Sequence, residues 1–290
     1  MHKSLDESLI RVMSFNVRGS FRDAREKNAW RNRVALNVAT IERYAPDVIG
    51  LQEAQRGNLG AYHKHLPRYA HIRGPRYGNT IPDDFNAILF DPERLQPLDS
   101  GGFWLSETPE KYSRSWDTRV ARSATWALFR VLETELTFLH VNTHLDHVSA
   151  LARREGSKLI VRRVRELSER TDVDPPTIVT GDFNSRPGNK VHNTFIESGF
   201  IDTFLAAGNK EGEGSNTFHA FKGACYRDAH PERGPRRIDW ILLKDPRERL
   251  HVKSHRIIHD ADESSGLYPS DHYPILAEFS FQASGFRFQL

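Results

Sequence analysis

Thr177-Ile178-Val179-Thr180-Gly181-Asp182-Phe183-Asn184-Ser185 decides how the rest of the sequence is read. A short apolar run reads as a strand, and it breaks into a glycine and a pair of polar side chains. Upstream, Val148 to Arg170 reads as a long helix carrying Leu151, Leu159 and Val164 among many arginines. Before that helix, Thr125–Val131 and Leu136–Val141 read as strands that follow one another directly. Downstream lie two more strands, Ile238–Leu243 and Tyr273–Phe281.

The N-terminal part repeats the theme. Leu9 to Phe15 alternates as a strand with Asn16 at its end. Val34, Val38 and Ile41 share a helical face, and Pro46 follows where that helix should stop. Asp47 to Leu51 then reads as a buried strand delivering Glu53, and Asn86–Phe90 as a further strand. Few strand–helix–strand units occur, and several strands run on without a helix between them. That mixture predicts an α/β fold of two packed sheets with helices outside. No repeat, low-complexity tract or Gly/Ser linker divides residues 1–290, so one domain is expected.

Composition narrows the class. Hydrophobic residues make up 38% of the 290 and charged residues 27%, as in a globular chain with a core and unlike a disordered one. A net charge of +3 permits a polyanionic partner without demanding one. The single cysteine, Cys225, rules out an internal disulfide and a cysteine zinc cage. Met1 to Arg11 carries Lys3, Asp6 and Glu7 and does not read as a signal peptide, and no run nears the ~20 apolar residues of a membrane span. A cytoplasmic protein without a membrane anchor is the expectation, and a monomer the default.

Polar residues gather where the strands end: Asn16, Glu53, His144, Asp182 with Asn184, Asp239, and Asp271 with His272. Hydrolysis of a phosphate ester passes through a transition state more negative than the substrate. Mg²⁺ or Mn²⁺ offsets that charge, and such hard cations take oxygen ligands of the kind Glu53, Asp271 and Asn16 supply. A carboxylate beside the attacking water can orient it and accept its proton, while an amide and imidazoles donate to the phosphate oxygens. Taken singly, each has a plainer explanation. Strand-end Asp and Asn are common turn formers, and His144 alone fits a satisfied core histidine. Gly-Asp-x-Asn-Ser together with Ser-Asp-His-x-Pro, beside two further acids at strand ends, is hard to obtain from turn chemistry.

In this order, from about Ile10 to Phe281, the set resembles the endonuclease/exonuclease/phosphatase superfamily, which includes deoxyribonucleases, deadenylases, sphingomyelinases and inositol polyphosphate phosphatases. The resemblance implies a four-layered α/β sandwich with its site at one edge of both sheets. It implies Glu53 as principal metal ligand with Asn16 and Asp271 nearby, and Asp182 as the residue activating water. Asn184, His144 and His272 would contact the phosphate, with Asp239 orienting His272. Phe103-Trp104-Leu105-Ser106-Glu107-Thr108-Pro109 and the later Thr217-Phe218-His219 resemble a bacterial branch on the deadenylase side. In that branch Arg122 would clamp a phosphate and Trp104 would stack on a base or wall the pocket; the alternatives are a surface ion pair and a core aromatic.

Lys222, Arg227, Arg233, Arg236 and Arg237, with Tyr226, form a basic loop before Asp239 that suits single-stranded nucleic acid or is simply solvated. The arginines Arg153, Arg154, Arg162, Arg163 and Arg165 alternate with glutamates and read as a solvated, ion-paired helix face. His251 and His255 are too far apart along a strand to share a metal. The leading expectation is a metal-dependent phosphodiesterase acting on nucleic acid. A phosphatase or diesterase for a small metabolite or lipid headgroup is the enzyme alternative, and a non-hydrolytic nucleic-acid-binding module the third.

Overall fold

The computed structural model describes residues 9–20, 27–75, 86–171 and 174–281. Most of the N-terminal segment read above for a leader lies outside the described residues. In chain order the first elements are β1 (Leu9–Asn16), α1 (Trp30–Tyr44), β2 (Val48–Gln52), α2 (Arg56–His65), β3 (Ala70–Ile72) and β4 (Ile88–Phe90). Then come β5 (Leu95–Trp104), β6 (Ser123–Val131), β7 (Thr137–His144), α3 (Ala150–Ser168), β8 (Thr177–Asp182) and α4 (Lys190–Glu197). The last are β9 (Ile201–Asp202), α5 (Thr203–Ala206), β10 (Asp239–Lys244), β11 (Leu250–Ile257) and β12 (Ile275–Phe281).

These strands form two six-stranded sheets, ordered β11-β12-β1-β2-β4-β3 and β5-β6-β7-β8-β10-β9. Each sheet has a parallel pair, β1 with β2 and β7 with β8, joined through α1 and α3. The other pairings are antiparallel, so both sheets are mixed. Three apolar clusters correspond to the three interfaces of a four-layered sandwich. Ile10, Val48, Phe129, Ile178 and Phe279 meet between the sheets. Leu159, Ile160 and Phe195 pack helices on the second sheet, and Ile41, Leu59 and Tyr62 pack helices on the first. The predicted two-sheet sandwich is the observed fold.

A polar seam fixes the offset of the sheets near one edge. Gln52 Nε2 donates to Asn142 Oδ1 at 2.7 Å, and Asn142 Nδ2 donates to the Leu51 carbonyl at 2.7 Å. A Cβ at Gly50 would stand 2.1 Å from Thr180 Oγ1, so only glycine admits this approach. A buried amide that lost these partners would cost ~1–3 kcal/mol, which ties the two sheets to one register.

Two local readings are revised, and the unlike surroundings of His251 and His255 have a local cause. Val34 and Val38 are only half-buried; the buried face of α1 is Trp30, Arg33, Asn37, Thr40 and Ile41. No strand was expected over β5, because Pro97, Gly101 and Gly102 dilute its pattern. It is an edge strand with an irregularity between Pro97 and Asp99, the place where a sheet tolerates proline. His251 is exposed and His255 buried because a shift between Val252 and Ser254 breaks the alternation of β11. No described helix is long and apolar enough to cross a membrane.

Candidate active site

The parallel pairs end at the same edge of the sandwich. Asn16 closes β1 and Glu53 follows β2, while His144 closes β7 and Asp182 closes β8. Asp239, the first residue of β10, stands opposite Asp182 in the antiparallel register. Asp271 and His272 precede β12, which lies against β1. Two backbone conformations mark the site: Glu53 and Asn184 both adopt left-handed φ values, 57° and 47°. Such angles are costly for non-glycine residues and persist where the surroundings over-determine them.

Asp182 is the hub. Its Oδ1 accepts the backbone N–H of Asn184 at 2.9 Å, and its Oδ2 accepts Asn16 Nδ2 at 3.0 Å. The same Oδ2 lies 3.4 Å from His144 Nε2 and 3.7 Å from His272 Nε2. Asn16 Nδ2 also donates to Glu53 Oε1 at 3.1 Å, so one amide bridges a carboxylate of each sheet. Its oxygen accepts the Arg18 N–H at 3.0 Å, which places Asn16 more as a bridge than as an oxygen donor facing the site. Asn184 Nδ2 reaches His144 Nε2 at 3.1 Å and the Leu145 carbonyl at 3.0 Å.

The electrostatics follow from burial. Loss of water and then the nearby Asp239 charge push Asp182 up to about 7, against the His272 charge and its own hydrogen bonds. Burial drives His272 down, but the Asp239 and Asp182 carboxylates overcome it and raise the imidazole to about 10. Its Nδ1–H donates to Asp239 Oδ2 at 2.9 Å, so the ring stays an imidazolium in a fixed orientation. His144 is held well below its usual range by burial and by the Arg122 guanidinium, and is neutral. Burial and the Asp271 charge raise Glu53, relieved by the Asn16 amide.

The donor set fits a divalent cation. Glu53 and Asp271 are close enough to repel, and a hard dication between oxygen ligands would relieve that. Asp182, Asp239 and His272 also lie within 4.8 Å of one another as ligand atoms. There the imidazolium of His272 offsets part of the carboxylate charge, and an imidazolium has no lone pair for a metal. The Glu53–Asp271 side therefore fits better.

Supporting residues were harder to foresee. Thr217 Oγ1 accepts the N–H groups of Ile238 and Asp239, the His219 N–H donates to the Asp271 carbonyl, and the Phe218 ring meets that of His272 edge-on. This segment buckles Asp239 to Asp271-His272. Arg33, fully buried, donates to the carbonyls of Val17, Arg18 and Pro269, joining the loops after β1 and before Asp271. Its sequence signal was an arginine on the helix face shared with Trp30, Asn37 and Ile41. Arg18, whose Nε lies 3.6 Å from Asp271 Oδ2, follows Asn16 by two residues.

Among the flanking candidates, Arg122 stands beside the cluster, its Nη2 3.0 Å from His147 Nδ1, and the Leu105 N–H holds its carbonyl. Trp104 is only 2% exposed and meets Tyr112 edge-on, so its ring is covered and has no open face for a base. Within the basic loop, Arg237 is not a surface cation: fully buried, it pairs with Asp202 and Glu211. Arg236 lies over Phe218 at 4.3 Å and donates to Tyr226 Oη.

A family model described as Endonuclease/Exonuclease/phosphatase family matches residues 13–272. The chain belongs to that family. Its members are metal-dependent phosphoesterases, nucleases and phosphatases among them. This member is similar in structure to a mannosyl-6-phosphatase of Bacteroides thetaiotaomicron, with TM-score 0.82 and 26% identity over 94% of this chain and 100% of that one. A family protein from Bacteroides vulgatus gives 0.81 and 29% over 94% and 99%. The fold is shared with the human Nocturnin catalytic domain, at 0.71 and 21% over 95% of each chain. No curated protein matches this family member by sequence.

Proposed function

We propose that this chain hydrolyses phosphodiester bonds, most readily those of single-stranded nucleic acid, using water activated by Asp182. The observation that carries the reading is the buried Asp239–His272–Asp182 row beside Glu53. A carboxylate near 7 is poised to take a proton at neutral pH, and the adjacent imidazolium is poised to meet a phosphate oxygen. Asp239 orients His272 through the Nδ1 hydrogen bond, and Asn184 and neutral His144 supply further polar contacts. Glu53 and Asp271, with Asn16 bridging to Asp182, would hold Mg²⁺ or Mn²⁺. When bound, that ion offsets the growing negative charge on the phosphoryl group. Arg122, next to His144, would clamp a phosphate, while the covered ring of Trp104 supports a walling role over stacking.

The nucleic-acid reading is supported by unpaired arginine and lysine side chains beside Asn184, described below, and by a fold shared with D. rerio TDP2, whose structure holds a single-stranded DNA product. The likeness to a mannosyl-6-phosphatase favours a second reading, a phosphatase for a small phosphorylated metabolite. Hydrolysis in Mg²⁺ or Mn²⁺ across single-stranded RNA and DNA, a generic phosphodiester and sugar phosphates separates the two. Shortening of a polynucleotide that EDTA and Glu53→Ala both abolish is the expected result. Full activity in Glu53→Ala would sink the site assignment, and activity on sugar phosphates alone would install the second reading.

A further inference from the structure

Asn184 also lines a groove of about 820 Å³ whose lining does not include Glu53. Its walls are the first turn of α3, the start of α4 and the loop around Asp228–Arg236. Arg153, Arg154, Arg186, Lys190, Arg233 and Arg236 line it, against one carboxylate, Asp228. Arg186 pairs with Asp228, and Arg233 with Glu232. Arg153, Arg154, Lys190 and Arg236 form no ion pair among the described residues.

The rest of α3 behaves otherwise. Farther along, Lys158 pairs with Glu155, Arg162 and Arg163 with Glu166, and Arg165 with Glu169, as a solvated helix face should. The arginines of this helix that form no ion pair are the two near its start, at the groove. Arg154 and Arg186 each carry a buried Nε without a hydrogen-bond partner. Arg236 is held in place by Phe218 and Tyr226, and Arg153 by the Asp146 carbonyl at 2.9 Å. The N-terminal residues of both α3 and α4 line the same space.

Unpaired cations in a groove that shares Asn184 with the reaction centre favour an anion attached to the molecule being cleaved. We propose that this groove seats a second, uncleaved phosphate of the substrate, on the Asn184 side of the site. The inference rests on the phosphoesterase reading and specifies its substrate as one with at least two phosphates. The volume suits a nucleotide-sized group and exceeds the needs of a lone phosphate.

The test uses the full chain in EDTA, so that binding is read without turnover, and the double variant Arg154→Gln/Lys190→Gln, neither residue belonging to the catalytic cluster. Fluorescence anisotropy with a labelled single-stranded DNA decamer should show Kd about tenfold weaker in the variant. The slope of log affinity against log salt should shrink by about one. Competition by fructose 1,6-bisphosphate distinguishes the source of the phosphate. A loss confined to that ligand makes the substrate a small bisphosphate, and a loss with DNA makes it a polynucleotide. Unchanged Kd and slope, or a wild type that binds neither probe, overturns the proposal. In Mg²⁺, kcat/KM should fall about tenfold for a trinucleotide and less than twofold for a dinucleoside monophosphate; equal losses on both would also overturn it. Altered binding without any hydrolysis by the wild type would instead remove the phosphoesterase reading and leave the anion site standing.

Discussion

Two buried aspartates of this protein, Asp182 and Asp202, have the same kinds of neighbour and opposite fates. Asp202 takes Arg237 Nη2 at 2.6 Å and His192 Nε2 at 3.0 Å on one oxygen, and the Phe204 N–H at 3.0 Å on the other. Burial raises it, but the His192 hydrogen bond and the Arg237 charge pull it down to about 2. Asp182 faces a second carboxylate, and burial with that repulsion leaves it near 7. Asp239 Oδ1, its neighbour, is buried without a hydrogen-bond partner among the described residues. A satisfied cluster holds its charge firmly and serves the fold; one left short of positive charge is held ready for a proton or a cation.

The largest effect should come from Asp182→Asn, which keeps the shape and removes the proposed base. Turnover should fall about 10³-fold. The unfolding midpoint should stay level or rise, because a repelled buried charge has gone. A steady-state assay with a thermal melt of the same sample reads both, and a large loss of stability would erase the contrast with Asp202.

Asp202→Ala should do the reverse. It leaves Arg237 with Glu211 alone and His192 unpaired, at a cost of about 3–5 kcal/mol in urea unfolding. Activity per folded molecule should remain close to wild type. A collapse of activity in the folded fraction would mean that this cluster also shapes the site, which is plausible in only one way: Arg237 is two residues from Asp239.

The smallest effect is the pH response, in which the two aspartates differ in sign. Asp202 is depressed in the fold, so its contribution, about 2 kcal/mol, is complete above its unfolded value near 4 and is lost as pH falls through about 2. Asp182 is raised, so without metal the fold binds the extra proton and loses stability as pH rises from about 4 to 7. His272, also raised, adds a further loss as pH climbs from 6.5 toward 10. Urea titrations in EDTA across pH 2 to 9 should therefore show Asp202→Ala without the acid limb and Asp182→Asn without the decline between 4 and 7. Two variants with the same profile as wild type would dissolve the comparison.

Much of the site was written in the sequence because each member ends or begins a strand. Asn16, Glu53, His144, Asp182 and Asp239 could be named from runs of a few residues, since alternation and breakers are local properties. Arg33 could not be weighed that way: most of its carbonyl partners lie 14 and more residues away, and Pro269 is reached only across the fold. Arg237 was misplaced among surface cations for the same reason, since composition cannot tell a solvated arginine from one buried against Asp202. Arg153 and Arg154 looked like the rest of an ion-paired helix until the groove set them apart.

The sequence by itself determined the two-sheet architecture, the family and the polar side chains available at the strand ends. These depend on local periodicity and on the chemistry of side chains at strand ends. Tertiary structure alone decided the charge states, the bridge from Glu53 through Asn16 to Asp182, and which arginines line the groove beside Asn184. Those depend on distances across two sheets and on water excluded between them, and electrostatic energy is set by separation and burial rather than by position along the chain.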